Sequence, residues 1–285
     1  MKILVFGKNG QVGSALMALL NDHHEVHGLD QDDLDLAQCG QIEATIQAYQ
    51  PDWVINASAY TAVDKAQSEP ELADAINHLA PAAMAKACAA LNCGLLHYST
   101  DYVFDGSAER PYLETQEPNP QSVYGTTKLA GERAVMLEYS DAIILRTAWV
   151  YAEQGANFVN TMLRLADERD ELGVVADQFG SPTLAYDLAE ASVEIVENTP
   201  LGNLQNVAGI YHATGSGMTS WFGFAREIFS LANKAIKLNA ITTEDYPTPA
   251  PRPQYSVLSN EKLQRVFGVT LPAWQGSLAG MIKNS

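Results

Sequence analysis

The chain has 285 residues, 47% of them apolar, and a formal net charge of −17. Such a chain can bury a large core, which excludes a disordered protein and leaves room for one large domain plus a smaller lobe. A surface this acidic repels nucleic acid and anionic lipid, so neither is expected as a partner, and an anionic substrate needs a local basic or dipolar site. Cys39, Cys88 and Cys93 are odd in number and lack zinc-type spacing, and no run approaches the roughly 20 apolar residues of a membrane span. Met1 to Phe6 lacks the apolar stretch of a secretion signal. We therefore expect a cytoplasmic protein with reduced thiols and no metal.

In chain order, Lys2 to Phe6 reads as a buried strand and Val12 to Asn21 as a helix with Val12, Leu16, Leu19 and Leu20 on one face. Glu25 to Leu29 is a second strand ending at Asp30. Helix Gln41 to Tyr49, strand Trp53 to Asn56 and a long Ala-rich helix Glu71 to Leu91 follow. Strand Gly94 to Ser99, helix Ser122 to Tyr139 and strand Asp141 to Arg146 continue the alternation. Nearly all-apolar strands alternating with helices predict an α/β, doubly wound parallel sheet of the Rossmann type. Past about residue 147 the pattern changes to helix Asn157 to Arg169, a short strand Leu172 to Ala176, and helix Asp187 to Asn198. A strand Gly209 to Ala213 and helix Trp221 to Asn233 come next. Tyr246 to Pro253 holds four prolines in eight residues and is expected to be an irregular loop. Helices Asn260 to Phe267 and Trp274 to Lys283 finish the chain. We assign 1–150 to a dinucleotide-binding domain, with a returning segment near 187–206. Residues 151–186 and 207–285 are assigned to a smaller, C-terminal substrate-binding lobe.

Gly7, Gly10 and Gly13 lie between the first strand and first helix, where glycines let the backbone turn sharply and approach a pyrophosphate. The N–H groups and dipole of the following helix then face that charge. Asp30, closing the second strand, is the expected partner of an adenosine ribose hydroxyl. Its charge, and the lack of an arginine nearby, lean towards NADH without excluding NADPH. Asp32 and Asp33 read as a solvated acidic loop.

Tyr124 and Lys128 stand four apart, one turn along one helix face. A phenol titrates near 10, and a neighbouring ammonium is expected to pull that value down. The pair can deliver a proton to a carbonyl oxygen while hydride reaches its carbon. Thr100 falls at the carboxyl end of a parallel strand, where ligands bind in this architecture, and its hydroxyl is expected to assist the phenol. The six histidines form no ligand cluster along the sequence.

The stretches FGKNGQVG, NASAYTAVDKAQSEP, HYSTDYVFDG, YGTTKLAGE, LRTAWVYA, DQFGSPT and RPQYSVL span Lys2 to about Leu258. Together they resemble the extended short-chain dehydrogenase/reductase family, and within it the reductases of nucleotide-linked sugars. The resemblance implies that NADH or NADPH reduces the 4-keto group of a dTDP-linked 4-keto-6-deoxy sugar, giving dTDP-L-rhamnose. By the same resemblance Tyr124 donates the proton, Lys128 tunes it and orients the nicotinamide ribose, and Thr100 assists. Gln11, Val12, Asp35, Leu36, Ala59, Tyr60 and Thr61 join the glycines and Asp30 around the cofactor. Thr100, Asp101, Trp149, Asn157, Gln178 and Arg252 meet the sugar nucleotide, with Arg252 at the diphosphate. Some family members dimerise through magnesium held by acids on two helices, but Ala15 and Tyr186 stand where acids are expected. A monomer or a metal-independent dimer is therefore expected. A dehydratase would carry an Asp-Glu pair after the strand-end threonine, whereas Asp101 is followed by Tyr102. Another 4-ketoreductase or epimerase of the family stays open, as does a non-catalytic regulatory subunit, although the intact Thr100–Tyr124–Lys128 set argues against the latter.

Overall fold

In the computed structural model, which describes residues 1–284, six parallel strands form one sheet. They are β1 (Lys2–Phe6), β2 (Glu25–Leu29), β3 (Trp53–Asn56), β4 (Gly94–Thr100), β5 (Ile143–Thr147) and β6 (Gly209–His212). Their order across the sheet is β6-β5-β4-β3-β1-β2. The chain lays strands down in opposite directions from β1, and the crevice at such a switch point is where ligands bind. The longer helices are α1 (Gln11–Leu20), α2 (Gly40–Tyr49), α3 (Ala80–Leu91), α4 (Val123–Glu138) and α5 (Phe158–Glu168). They continue with α6 (Ala185–Asn198), α7 (Trp221–Leu231), α8 (Glu261–Phe267) and α9 (Trp274–Asn284).

Alternate strand residues divide the core in two, as the two-residue period of a strand requires. Ile3, Val5, Ile55, Leu96 and Leu145 pack with Leu16 and Leu20 of α1 and with Leu188 and Ile195 of α6. Leu4, Phe6, Val54, Leu95 and Ile144 pack with Ile42 and Ile46 of α2, Met84 and Cys88 of α3, and Val135 of α4. A third cluster joins Tyr151, Val159, Leu172 and Val174 to Phe224, Ile228, Trp274 and Leu278, apart from the sheet. Cys88 and Cys93 are buried, and all three cysteines are free thiols.

Three features depart from the expected pattern. The long helix expected over Glu71 to Leu91 runs without a break from Pro70 to Leu91, but a π-helical turn at Ala75–Leu79 separates Pro70–Asp74 from α3. Pro81, just past that turn, lacks the N–H that a regular α-helix would use there. Lys237–Ile241, which carries no clean alternation, pairs in parallel with Glu171–Val175. Residues 207–285 are not all outside the sheet. Gly209–His212 is its edge strand against β5, and Leu263, Val269 and Leu271 join the sheet core. The loop at Tyr246 to Pro253 is irregular, as its prolines require.

Candidate active site

The β1–α1 turn is built by close approach. Gly7 has φ +83°, and a Cβ there would meet Ser58 N at 2.8 Å and Ala57 C at 2.9 Å. A Cβ on Gly13 would fall 1.8 Å from Gly7 O. Helix α1 begins after Gly10 without a side-chain cap, so its first N–H groups are available to an anion. Asp30 at the end of β2 accepts from Asn9 N and from Gln31 N, both at 2.8 Å, which fixes its carboxylate beside the turn. Asp35 turns the next loop by accepting from Ala37 N at 3.0 Å.

Past β3, Asn56 holds Ser58 through N–H and hydroxyl bonds of 3.1 and 2.5 Å. Tyr60 is gripped by Asn77 of the π-helical turn. Its N–H donates to Asn77 Oδ1 at 2.8 Å, and its carbonyl accepts from Asn77 Nδ2 at 3.1 Å. Asn77 also donates to Thr127 Oγ1 at 3.2 Å, tying this segment to α4. The π-helical turn thus performs a specific task, as such bulges often do.

Helix α4 places the reactive pair. Ser122 Oγ caps its start by accepting from Gly125 N at 3.1 Å. Gly125 is required there, since a Cβ would fall 2.2 Å from Tyr102 O. The Tyr124 ring meets Tyr102 edge-on at 5.4 Å. One turn on, the buried Lys128 donates from Nζ to Tyr98 O at 2.6 Å. A further turn on, Glu132 takes a two-pronged ion pair from Arg146 of β5, at 2.8 Å from Nε and 2.6 Å from Nη2. Ser99 Oγ donates to the same carboxylate at 2.5 Å. Helix α4 is thereby clamped to β4 and β5.

Burial pushes the Tyr124 phenol up to about 12, against the pull of its hydrogen bond with Thr100 and with the help of Asp101. This corrects the expected lowering by Lys128: in the folded chain the lysine bonds a carbonyl, and loss of water dominates at the phenol. Burial pushes Lys128 down to about 8, while Glu132 pulls it back up. Burial likewise raises Asp101 to about 6, opposed by hydrogen bonds from Ser256 and Thr100.

Gly7, Gly10, Gln11, Val12, Asp30, Asp35, Leu36, Ala59, Tyr60, Thr61, Thr100, Asp101, Tyr124, Lys128 and Trp149 all border one cleft of about 930 Å³. Gly13 does not border it, and its role is to let α1 approach Gly7. Thr147 Oγ1 lies in the same wall, buried and without a hydrogen-bond partner in the chain. Trp149 has φ +50°, a strained conformation for a bulky residue. Its ring stacks on Trp221 at 3.5 Å and fills the space that Gly180 leaves open.

Three expected sugar contacts lie outside the cleft wall. Asn157 caps α5 by accepting from Asn160 N at 3.0 Å and donates to Gln11 Oε1 at 3.1 Å and to Ala152 O at 2.8 Å. These bonds tie Asn157 to Gln11 in the cleft wall. Gln178 donates to Thr243 Oγ1 at 3.1 Å. Arg252 bonds Asp64 at 2.8 Å and Ala250 O at 3.0 Å, pinning the proline-rich loop beside Tyr102. Asn77, Glu132 and Arg146 were not singled out from sequence, because each acts through a partner distant along the chain. Among the described residues no group of three or more His, Cys, Asp or Glu could hold a metal ion, and no helix is long and apolar enough to cross a membrane.

A glycine turn aimed at a helix N-terminus, an acidic strand end and a Tyr–Lys pair on one cleft define an NAD(P)H-dependent oxidoreductase of the short-chain dehydrogenase/reductase type. A family model described as the RmlD substrate binding domain matches residues 1–285. The chain is 45% identical over 294 residues to dTDP-4-dehydrorhamnose reductase of Escherichia coli strain K12, covering 99% of this chain and 97% of that relative. A crystal structure of a dTDP-4-dehydrorhamnose reductase from Clostridium acetobutylicum ATCC 824 matches with a TM-score of 0.94 at 40% identity, over 100% of this chain and 99% of the other. Another from Bacillus anthracis strain Ames, in complex with NADP, gives 0.93 at 35% identity over 100% of both chains. The chain belongs to the RmlD substrate-binding-domain family.

Proposed function

We propose that this chain catalyses the NAD(P)H-dependent reduction of the 4-keto group of dTDP-4-dehydro-L-rhamnose to dTDP-L-rhamnose. The observation that carries the reading is the meeting of Tyr124, Thr100 and Lys128 with the β1–α1 turn on one cleft. The close approach that Gly7 and Gly13 permit brings the uncapped start of α1 to the cleft, where its N–H groups suit a pyrophosphate. The bound dinucleotide supplies a hydride to C4 of the sugar.

The chain's own residues supply the rest. Tyr124, held protonated by burial, donates its proton to the carbonyl oxygen. Thr100 steadies that phenol. Lys128, anchored on the Tyr98 carbonyl, keeps two further N–H donors for the nicotinamide ribose. Asp30 takes the adenosine ribose, with Asp35, Leu36, Ala59, Tyr60 and Thr61 walling the cofactor. Asp101 and Trp149 line the sugar's side. The cluster around Phe224 and Trp274 serves as the lobe that carries the sugar-nucleotide contacts, Gln178 among them. Arg252 reaches the diphosphate by leaving Asp64.

The test is consumption of NADH and of NADPH with the dTDP-4-keto sugar as acceptor, comparing the parent chain with Tyr124→Phe. Turnover lost by a factor of about 10²–10⁴ with dinucleotide binding retained is the expected outcome. Undiminished turnover in the variant would sink the mechanism.

A further inference from the structure

The hydroxyl of Thr100 stands between groups that compete for it. Its single hydrogen goes to Asp101, with Oγ1 donating to Oδ1 at 3.0 Å. Its oxygen accepts from Tyr102 N at 3.2 Å, the bond that caps the short turn Asp101–Val103. The Tyr124 phenol is the third partner. A threonine hydroxyl has one hydrogen and two lone pairs. With the hydrogen on Asp101 and one lone pair on Tyr102, the phenol can only donate to the other. The Tyr124 proton then points at Thr100, and a keto oxygen has to compete for it.

The charge on Asp101 sets how firmly this arrangement holds. Its carboxyl borders the cleft yet is 2% exposed, and Oδ2 is buried with no hydrogen-bond partner. As an anion it is the stronger acceptor and keeps the Thr100 hydrogen. As a neutral acid it turns its own hydrogen to Thr100 Oγ1, and Thr100 turns its hydrogen to the phenol oxygen. The Tyr124 proton is then free to face the substrate, and the phenolate left after transfer has a donor. Tyr124 faces the carboxyl from α4 and Tyr102 from its own turn, while Ser256 supplies a hydroxyl. Arg252 and its partner Asp64 act on Tyr102 from beyond.

We propose that Asp101 is a positioning residue for the proton transfer: it sets which way the Thr100 hydrogen points, and its neutral form directs the Tyr124 proton to the keto oxygen. This rests on the reading of the cleft as a reductase site. Burial raises Asp101 to about 6, so the carboxyl loses its proton as pH rises through that value, and the directed state is lost with it.

The experiment is the pH profile of kcat/KM for the sugar, which reports groups of the free enzyme. The parent chain is compared with Asp101→Asn, Thr100→Val and Thr100→Ser. The parent is expected to drop by about two- to ten-fold as pH rises through about 6, the worth of one hydrogen bond. Asp101→Asn, which carries no charge, loses the step. Thr100→Val loses it too, although Asp101 is still present, and Thr100→Ser restores it. A parent profile without the step overturns the proposal. So does a step that survives in Thr100→Val, since Asp101 then acts on the sugar directly. The Asp101 carboxyl is also titrated by carbon-13 NMR without substrate. There Thr100→Val is expected to raise the midpoint, because it removes the hydrogen that favours the anion. An unchanged midpoint overturns the coupling between the two residues. If the midpoint moves while no dTDP-4-keto sugar is reduced, Asp101 keeps its hold on Thr100 and the reaction proposed above fails.

Discussion

A buried phenol raised to about 12 keeps its proton through the whole working range, which is what a donor to a carbonyl needs before the reaction begins. The titrating member of the pair is Lys128. Its ammonium loses its proton as pH rises through about 8, and with it the charge proposed to hold the nicotinamide ribose. The rate with saturating dinucleotide is therefore expected to fall on an alkaline limb centred near 8, read from the pH profile of kcat/KM for the sugar. A flat profile to pH 10 would rule this out. The Tyr–Lys spacing and the glycine turn were legible in the sequence because both are local: four residues make one helical turn, and seven residues make the cradle. Asn77 was not legible, because its value lies in touching Tyr60 and Thr127 from a π-helical turn that breaks the helix periodicity. Arg252 could be singled out, but its partner Asp64 lies 188 positions away and no pattern links them.

At the scale of elements, the position of α4 follows from one buried ion pair. Glu132 and Arg146 are 1% exposed as residues and joined by two hydrogen bonds. Removing one partner leaves a buried charge alone, so Glu132→Gln is expected to cost about 3–5 kcal/mol of unfolding free energy, measured by denaturant titration. Because Glu132 pulls Lys128 upward, the same variant moves the alkaline limb to lower pH, a change that loose packing alone would not produce. The clearest sequence signals came from β1, β3, β4 and β5, whose mostly apolar, buried runs are what a sheet covered on both faces demands. The strand Gly209–His212 was legible, but Lys237–Ile241 was not: it is mostly exposed or intermediate, so neither burial nor alternation marks it.

Over the whole molecule, a net charge of −17 sets the terms on which an anionic sugar nucleotide arrives. The Debye length falls from about 30 Å at 0.01 M salt to about 8 Å at 0.15 M. Long-range repulsion is thus screened, and kcat/KM for the dTDP sugar is expected to rise a few-fold over that range. A steep fall would point instead to a strong local basic site at the diphosphate. Any dimer this chain forms is proposed to be independent of metal, since Ala15 on α1 and Tyr186 on α6 supply no carboxylates. Its sedimentation is expected to be unchanged by EDTA.

The sixth strand bears on how the chain is made. β5 ends at Thr147, and the strand that covers its free edge begins at Gly209. On a ribosome adding about 5–20 residues per second, that edge waits roughly 3–12 s for its partner. An unpaired apolar edge invites pairing with other nascent chains, so this interval is when the protein is most in need of a chaperone.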